Sequence, residues 1–396
     1  MSSAIKSSSN GRIWSLDILR GLVIIIMAID HIRDFWALTP FQPEDMSQTS
    51  PAWFFTRWIT HFCAPTFVFL AGASAFLYGS KINDKSQLSK FLLTRGLWLI
   101  LIEVLIINQS WTFSSPFILG FTFLQVIWAI GISMIALGGL IWLSDKWIAV
   151  ISLVMIFGHN LLDGIQSSSW GSMSGFWTLL HQGFSPIPIT SSYSILVAYP
   201  LIPWIGVMGI GYVFGNVMLW EADKRKSFLW KAGLVAIGIF LVLRLPNIYG
   251  DSAHWESQSR GTIYTFMDIL NTTKYPPSLL FLCMTIGPAI LSLIAFEKWD
   301  NKLTEFLKVF GKVPFFFYVL HFATINGAAA IYHYFRYGKA FLFFTTPTQN
   351  LPESYIPSIG LIYVVWGVVL FVFYYLCKWY ADYKFSHKEI WWLKYL

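Results

Sequence analysis

Long apolar stretches alternate with short polar segments along the whole chain. Ten stretches approach the roughly 20 apolar residues needed to cross a bilayer as a helix: residues 14–36, 53–79, 91–110, 119–143, 147–163, 194–219, 228–246, 277–296, 313–335 and 357–380. The fifth, seventh and eighth are short for a span. The pattern predicts an all-α fold, a polytopic membrane helix bundle of about ten transmembrane helices, with an even count that puts both termini on one side. Residues 13–383 read as a single transmembrane domain, flanked by a disordered Ser-rich N-terminus, 1–12, and a polar tail, 384–396. The first apolar run is long enough to span and no small-residue cleavage site follows it, so it reads as a retained helix rather than a signal peptide.

Charge orients the bundle. One set of connecting segments holds eighteen Lys and Arg residues, among them Lys6, Arg12, Lys81, Lys85, Lys224, Arg225, Lys302 and Lys384. The opposite loops hold only Arg260, Lys274, Arg336 and Lys339. The positive-inside rule therefore predicts cytoplasmic termini. It also removes the nucleic-acid reading of the +7 net charge, because the cations alternate with the helices instead of forming one patch. The outward loops 164–193, 247–276 and 336–356 are long enough for a vestibule or lid as well as for plain connections.

Composition agrees: 56% of residues are apolar and 12% charged, where soluble domains carry about 25%. Cys63, Cys283 and Cys377 all fall in apolar segments, with neither a disulfide pattern nor metal-ligand spacing.

Against this background the first span stands apart, because it carries Asp17, Arg20, Asp30, His31, Arg33 and Asp34. Ionisable groups inside a span cost free energy and mark functional paths by default. Arg20 and His31 lie eleven residues apart, hence on one face and roughly 16 Å apart along the axis. Asp17 precedes Arg20 by three residues and Asp34 follows His31 by three. The face links a cationic inner site to a titratable outer one. A competing reading makes Asp17–Arg20 and Asp30–Arg33 interfacial anchor pairs. His31 fits that reading poorly, and neighbouring Asp30 offers it an orienting partner.

The second span enters from the other side with Arg57 and His61, four residues apart, at the depth of His31. Pro65 breaks the backbone ladder nearby. Two histidines at one depth suit proton or acyl transfer. As a zinc pair they lack a third ligand, and no metal is expected. Arg95 in the third span joins Arg20 as a phosphate-binding candidate or serves as a snorkelling anchor, and Glu103 at mid-span is a candidate counter-ion. His321 in the ninth span is a second candidate site residue, or a satisfied core histidine. His159, His181, His333 and His387 have no chemical company in the sequence.

Several runs carry a resemblance: Ser15-x-Asp17-x-x-Arg20-Gly21 followed by Asp30-His31, Phe67 to Gly72, Leu124 to Gly131, Tyr199 to Gly206, Asn271 to Pro277, and Gly311 to Pro314 with Leu320-His321. In order and spacing they resemble the domain of unknown function 1624 family, named for the catalytic region of heparan-α-glucosaminide N-acetyltransferase. Arg20 and His31, with ten residues between them, also resemble the Arg/Lys-x10-His motif of the acyltransferase-3 membrane enzymes. The resemblance implies that acetyl-CoA, or another acyl-CoA, donates from the cytoplasm and that a sugar at the outer side accepts. It implies an essential role for His31 and a donor-site role for Arg20; with the layout of charges, His31, Asp30 and His61 are the catalytic candidates, Arg20, Asp17 and Arg95 the donor-site candidates, and Asp34, Arg57, Lys274 and His321 the acceptor-site candidates. The family's catalytic His of the first outer loop has no counterpart in residues 37–53, so His31 and His61 stand on their own positions. The expected partners are the bilayer, acyl-CoA and an envelope sugar or glycan, with room for a homodimer, in the inner membrane of a bacterium. A proton-coupled transporter using His31, Asp30 and Glu103 is the alternative from another class.

Overall fold

The computed structural model describes residues 13–390 and 392–393. The N-terminal segment 1–12, with Lys6 and Arg12, and the end of the tail with Lys394 lie outside the described residues. Ten apolar helices follow the expected order: α1 (Trp14–Trp36), α2 (Pro51–Ile82), α3 (Lys85–Thr112), α4 (Val126–Leu140), α5 (Asp145–Leu162), α6 (Leu201–Val217), α7 (Ala222–Arg244), α8 (Leu279–Phe296), α9 (Pro314–Tyr337) and α10 (Ile359–Ser386). Seven of them have the length and hydropathy of membrane spans, α4 and α6 are shorter, and α1 is the charged one. The chain is a polytopic α-helical membrane bundle. Outward-facing Leu105, Val154, Val242, Phe335 and Phe371 form the apolar surface that lipid covers.

Two spans are shorter than the hydropathy implies. Residues 121–124 are not helix but a strand, β1 (Phe121–Leu124), and the run before α6 is another strand, β3 (Tyr193–Val197). With β2 (Pro186–Thr190) they make a three-stranded sheet in the order β1-β3-β2; β1 pairs parallel to β3, with Phe121 opposite Ser194, and β2 runs antiparallel. The causes are local. Pro200 fixes an extended entry to α6, and Gln125 is extended immediately before α4. Both strands are apolar and aromatic, so hydropathy alone does not separate them from helix.

The charged helix α1 sits at the centre. It packs against α2, α8, α9 and α10 and against a short amphipathic helix, Lys302–Lys312, that lies ahead of α9. Of the apolar window of α8, 78% is buried, against 17% for α7, so α7 is peripheral and α8 internal. Small residues set the closest approaches. A Cβ on Gly311 would lie 1.8 Å from the Asp17 carbonyl oxygen, and one on Gly21 would lie 2.0 Å from that of Leu307. At the crossing of α2 and α6, a Cβ on Gly72 would lie 2.1 Å from the Met208 carbonyl oxygen.

The helix α2 is broken, but one turn earlier than Pro65 itself. Ile59–Phe62 form a 3₁₀ turn, and regular α-helix resumes at Cys63. Proline lacks the N–H that would bond the carbonyl four residues back, which is that of His61, so the preceding turn tightens.

Of the outward loops, the one from α7 to α8 is tied down as part of a wall. Buried Arg244 at the end of α7 donates to the carbonyls of Ile269, Asp268 and Asn271 at 2.7–2.9 Å, gathering the 245–278 segment. Arg260 donates to the carbonyls of Met46 and Thr49 at 2.7 and 2.8 Å, joining that segment to the loop after α1.

The α1 contact with the amphipathic helix gives a stability test. Gly311→Ala should destabilise by about 1–3 kcal/mol, because both clashing partners are backbone. Gly367→Ala, with nothing within 4 Å, should be neutral or stabilising. Thermal unfolding of the two variants in detergent measures the contrast; equal midpoints would refute the close packing.

Candidate functional site

One cavity of about 1040 Å³ runs through the bundle. At one end it is lined by Arg20, Ser74, Tyr78 and Arg95, at the other by Asp34, Gln42, Glu44 and Asn271. Arg20 and Asp34 are fourteen residues apart on α1, so the cavity follows the helix for roughly 21 Å. Its middle is mostly apolar, with Phe67, Leu99, Ile127 and Met134 in the wall.

At the first end Arg20 donates to Asp17 Oδ1 at 2.8 Å, to Ser74 Oγ at 2.9 Å and to the Gly311 carbonyl at 3.3 Å. Asp17, expected at the donor site, does not line the cavity. It is buried and braces Arg20, which is the anchor-pair geometry turned inward. The Arg95 guanidinium lies 5.0 Å from the centroid of the Phe315 ring and lines the same cavity.

At the second end the charges form one network. Asp30 accepts from Arg33 at 2.9 Å and, through its other oxygen, from Arg57. Arg33 also pairs with Asp34 at 2.8 Å, and Arg57 Nε donates to Glu44 at 2.6 Å. Arg57 is therefore the bridge between α1, α2 and the loop after α1. Lys274 lines the cavity beside this network, 5.1 Å from the Tyr275 ring centroid. His61 is buried, with Nε2 3.5 Å from Glu44 Oε1. That separation is long for a hydrogen bond.

The expected orientation of His31 by Asp30 is not what forms. Asp30 is occupied by two arginines, and His31 Nδ1 lies 2.7 Å from His321 Nε2. His321 is fully buried, does not line the cavity, and so does not contact an acceptor there. Its Nδ1 lies 2.6 Å from the Tyr318 carbonyl and 3.1 Å from that of Phe317. A carbonyl only accepts, so Nδ1 of His321 carries the proton and its Nε2 is the acceptor. The hydrogen-bond network thus assigns His31 Nδ1–H as donor and His31 Nε2 as the lone-pair nitrogen. Phe322 and Trp111 rings pack the His31 imidazole at centroid distances of 4.2 and 5.6 Å. No hydrogen bond or ring contact joins His31 to His61 among the described residues, although both line the cavity.

Glu103 is not a counter-ion to an arginine. It is fully buried, outside the cavity lining, and its carboxylate accepts from the Trp128 backbone N–H at 3.3 Å at the start of α4. It therefore does not join a path with Asp30 and His31. Two other residues left without company in the sequence do meet: His159 and His181 come together with Asp163.

Residues 12–243 match the model of the family described as heparan-alpha-glucosaminide N-acetyltransferase, catalytic. The chain belongs to this family. No curated protein matches the chain at the significance required. Membership makes the chain a relative of membrane N-acetyltransferase catalytic domains, and the matched residues run from α1 through nearly all of α7. Lys274 and Tyr275 in the cavity wall, and His321 behind His31, lie beyond the matched segment.

Glu44 is the site residue that sequence reasoning missed. The available signal was Arg57, a cation at membrane depth with no carboxylate three or four residues away on its own helix. Burial pulls the Glu44 carboxyl upward, but the Arg57 guanidinium and the His61 ring outweigh it and hold it well below the usual carboxylate range.

Two outcomes follow. Arg57→Ala leaves Asp30 and Glu44 without their bridge and should cost about 3–5 kcal/mol in detergent unfolding, with Asp30→Asn in the same chain recovering part of the loss. A depressed Glu44 stabilises the fold fully above the ordinary glutamate pKa of 4.5, and that stability is lost as pH falls below it. Unfolding midpoints followed down through pH 4.5 should therefore drop less steeply for Glu44→Gln than for the parent; parallel curves would exclude the coupling.

Proposed function

We propose that this chain transfers an acetyl group from cytoplasmic acetyl-CoA to an amino or hydroxyl group of a sugar on the other side of the membrane. The observation that carries the reading is the single cavity that touches Arg20 and Arg95 at one end, passes His31, and ends among carboxylates, guanidinium groups and amide side chains. Family membership supports acetyl transfer as the chemistry. The distribution of Lys and Arg supports the Arg20 end as the cytoplasmic one, and we place the chain in a bacterial inner membrane.

The donor enters at Arg20 and Arg95, whose guanidinium groups suit phosphate oxygens. The uncharged pantetheine arm extends along the apolar middle of the cavity and brings the thioester to His31. His31 Nε2 takes the proton from the acceptor amine or hydroxyl as that group attacks the thioester carbonyl. The tetrahedral intermediate collapses, the carbon–sulfur bond breaks, and the imidazolium returns its proton to the departing CoA thiolate. His321 holds the tautomer through the whole cycle, because its own Nδ1 proton is tied to a backbone carbonyl. Asp34, Lys274, Gln42 and Asn271 are the groups placed to bind sugar hydroxyls. His61, whose Nε2 lies 3.5 Å from Glu44, assists from the cavity wall beside that carboxylate.

Acetyl-CoA should raise the unfolding midpoint of the detergent-solubilised chain. Arg20→Ala combined with Arg95→Ala should abolish the rise. His31→Ala should keep the rise but lose transfer to an amino-sugar acceptor by about 10²–10⁴-fold. Full activity in His31→Ala, or no response to acetyl-CoA in the parent, would overturn the reading.

A further inference from the structure

The loop end of the bundle holds a second cluster that the acetyl-transfer chemistry does not use. His159 and Asp163, four residues apart at the end of α5, meet His181 from the segment that precedes β2. One ring nitrogen from each histidine and one carboxylate oxygen lie within 4.8 Å of one another. His181 Nε2 is already 3.1 Å from Asp163 Oδ1.

The polar accounting here is incomplete. His159 and His181 are 1% and 2% exposed. Neither ring nitrogen of His159 has a hydrogen-bond partner, and Nδ1 of His181 has none. Leaving such groups unpaired in the interior is costly, and a metal ion would take up one nitrogen of His159. Among the described residues no Lys or Arg forms an ion pair with Asp163; its only ion-pair contact is His181. Two buried histidines and a half-buried aspartate that pairs with no Lys or Arg have the composition that divalent metals fill.

We propose that His159, Asp163 and His181 bind one zinc ion that fastens the 164–185 segment to the end of α5. The donor atoms lie within 4.8 Å of one another, against roughly 3.3–3.5 Å in a tetrahedral zinc site. Asn160 Nδ2 donates to the other Asp163 oxygen at 2.9 Å and so orients the carboxylate from behind. A cleft of about 100 Å³, lined by Asn160, Asp163, His181 and Ser278, leaves room for a water as fourth ligand. The metal would set the position of Phe184, which lines the main cavity and packs on Tyr275 at a centroid distance of 4.9 Å. Its role is to hold the cavity wall, without contact to the reacting groups.

The test uses the full chain without an oligohistidine tag, stripped with a chelator and reloaded with zinc alone. About one zinc per chain should survive dialysis, and cobalt(II) in its place should give the intense visible bands of a four-coordinate site. Zinc loading should raise the unfolding midpoint of the parent. In Asp163→Asn, which preserves shape, and in His159→Ala with His181→Ala, retained zinc should fall to near zero. His387→Ala, at the far end of α10, should keep it. Zinc that is not retained by the parent, or that is retained equally by the Asp163 and histidine variants, overturns the proposal. Asp163→Asn answers the question if the double histidine variant does not fold.

Discussion

Arg57 holds two carboxylates from different parts of the chain, Asp30 on α1 and Glu44 in the loop that follows it. Charges at this depth are tolerated only when paired and kept from lipid. The pairing therefore dictates that α1 lies at the centre of the bundle and that the start of α2 lies beside it. Once the loop after α1 is fixed by Glu44, Arg260 and Asn271 attach the 245–278 segment to it, Asn271 through a hydrogen bond of 3.0 Å from its Nδ2 to the Glu44 carbonyl. The cavity wall at that end is a consequence of where the bridge places its partners.

Most of the bundle was legible because hydropathy reports burial in lipid directly. All ten helices fall on the expected stretches, and the charged face of α1 does line a cavity, as the spacing of Arg20, His31 and Asp34 required. Hydropathy was blind to the strands, since Phe121–Leu124 and Tyr193–Val197 are apolar whichever backbone they adopt. Partner choice was the weaker part. Adjacency suggested Asp30 for His31, but a residue one step along a helix points some 100° away, while His321 arrives from a helix 290 residues later. Glu44 and the His159–Asp163–His181 cluster were hidden for the same reason, because their meaning lies in contacts across loops.

The two histidines divide one task. His31 faces the cavity and is packed by Phe322 and Trp111, whereas His321 is removed from the cavity and bonded to backbone. A backbone carbonyl cannot change protonation, so the chain of bonds from the Tyr318 carbonyl through His321 fixes which nitrogen of His31 carries a lone pair. That determination comes from α9, beyond the segment shared with the family model. The amino-terminal two thirds thus supplies the cationic end and His31, and the remainder supplies its tautomer.

The apolar stretch between Arg20 and His31 also determines how the protein insulates the membrane it sits in. A cavity that follows one helix for most of the bilayer thickness is a potential route for ions. Its middle is mostly apolar, so a charge entering from either end meets a dielectric barrier. Moving a unit charge through the membrane field involves about 2.3 kcal/mol per 100 mV, whereas a neutral thioester arm crosses it without electrical work. The same arrangement that would admit a neutral acyl arm therefore opposes the passage of an ion.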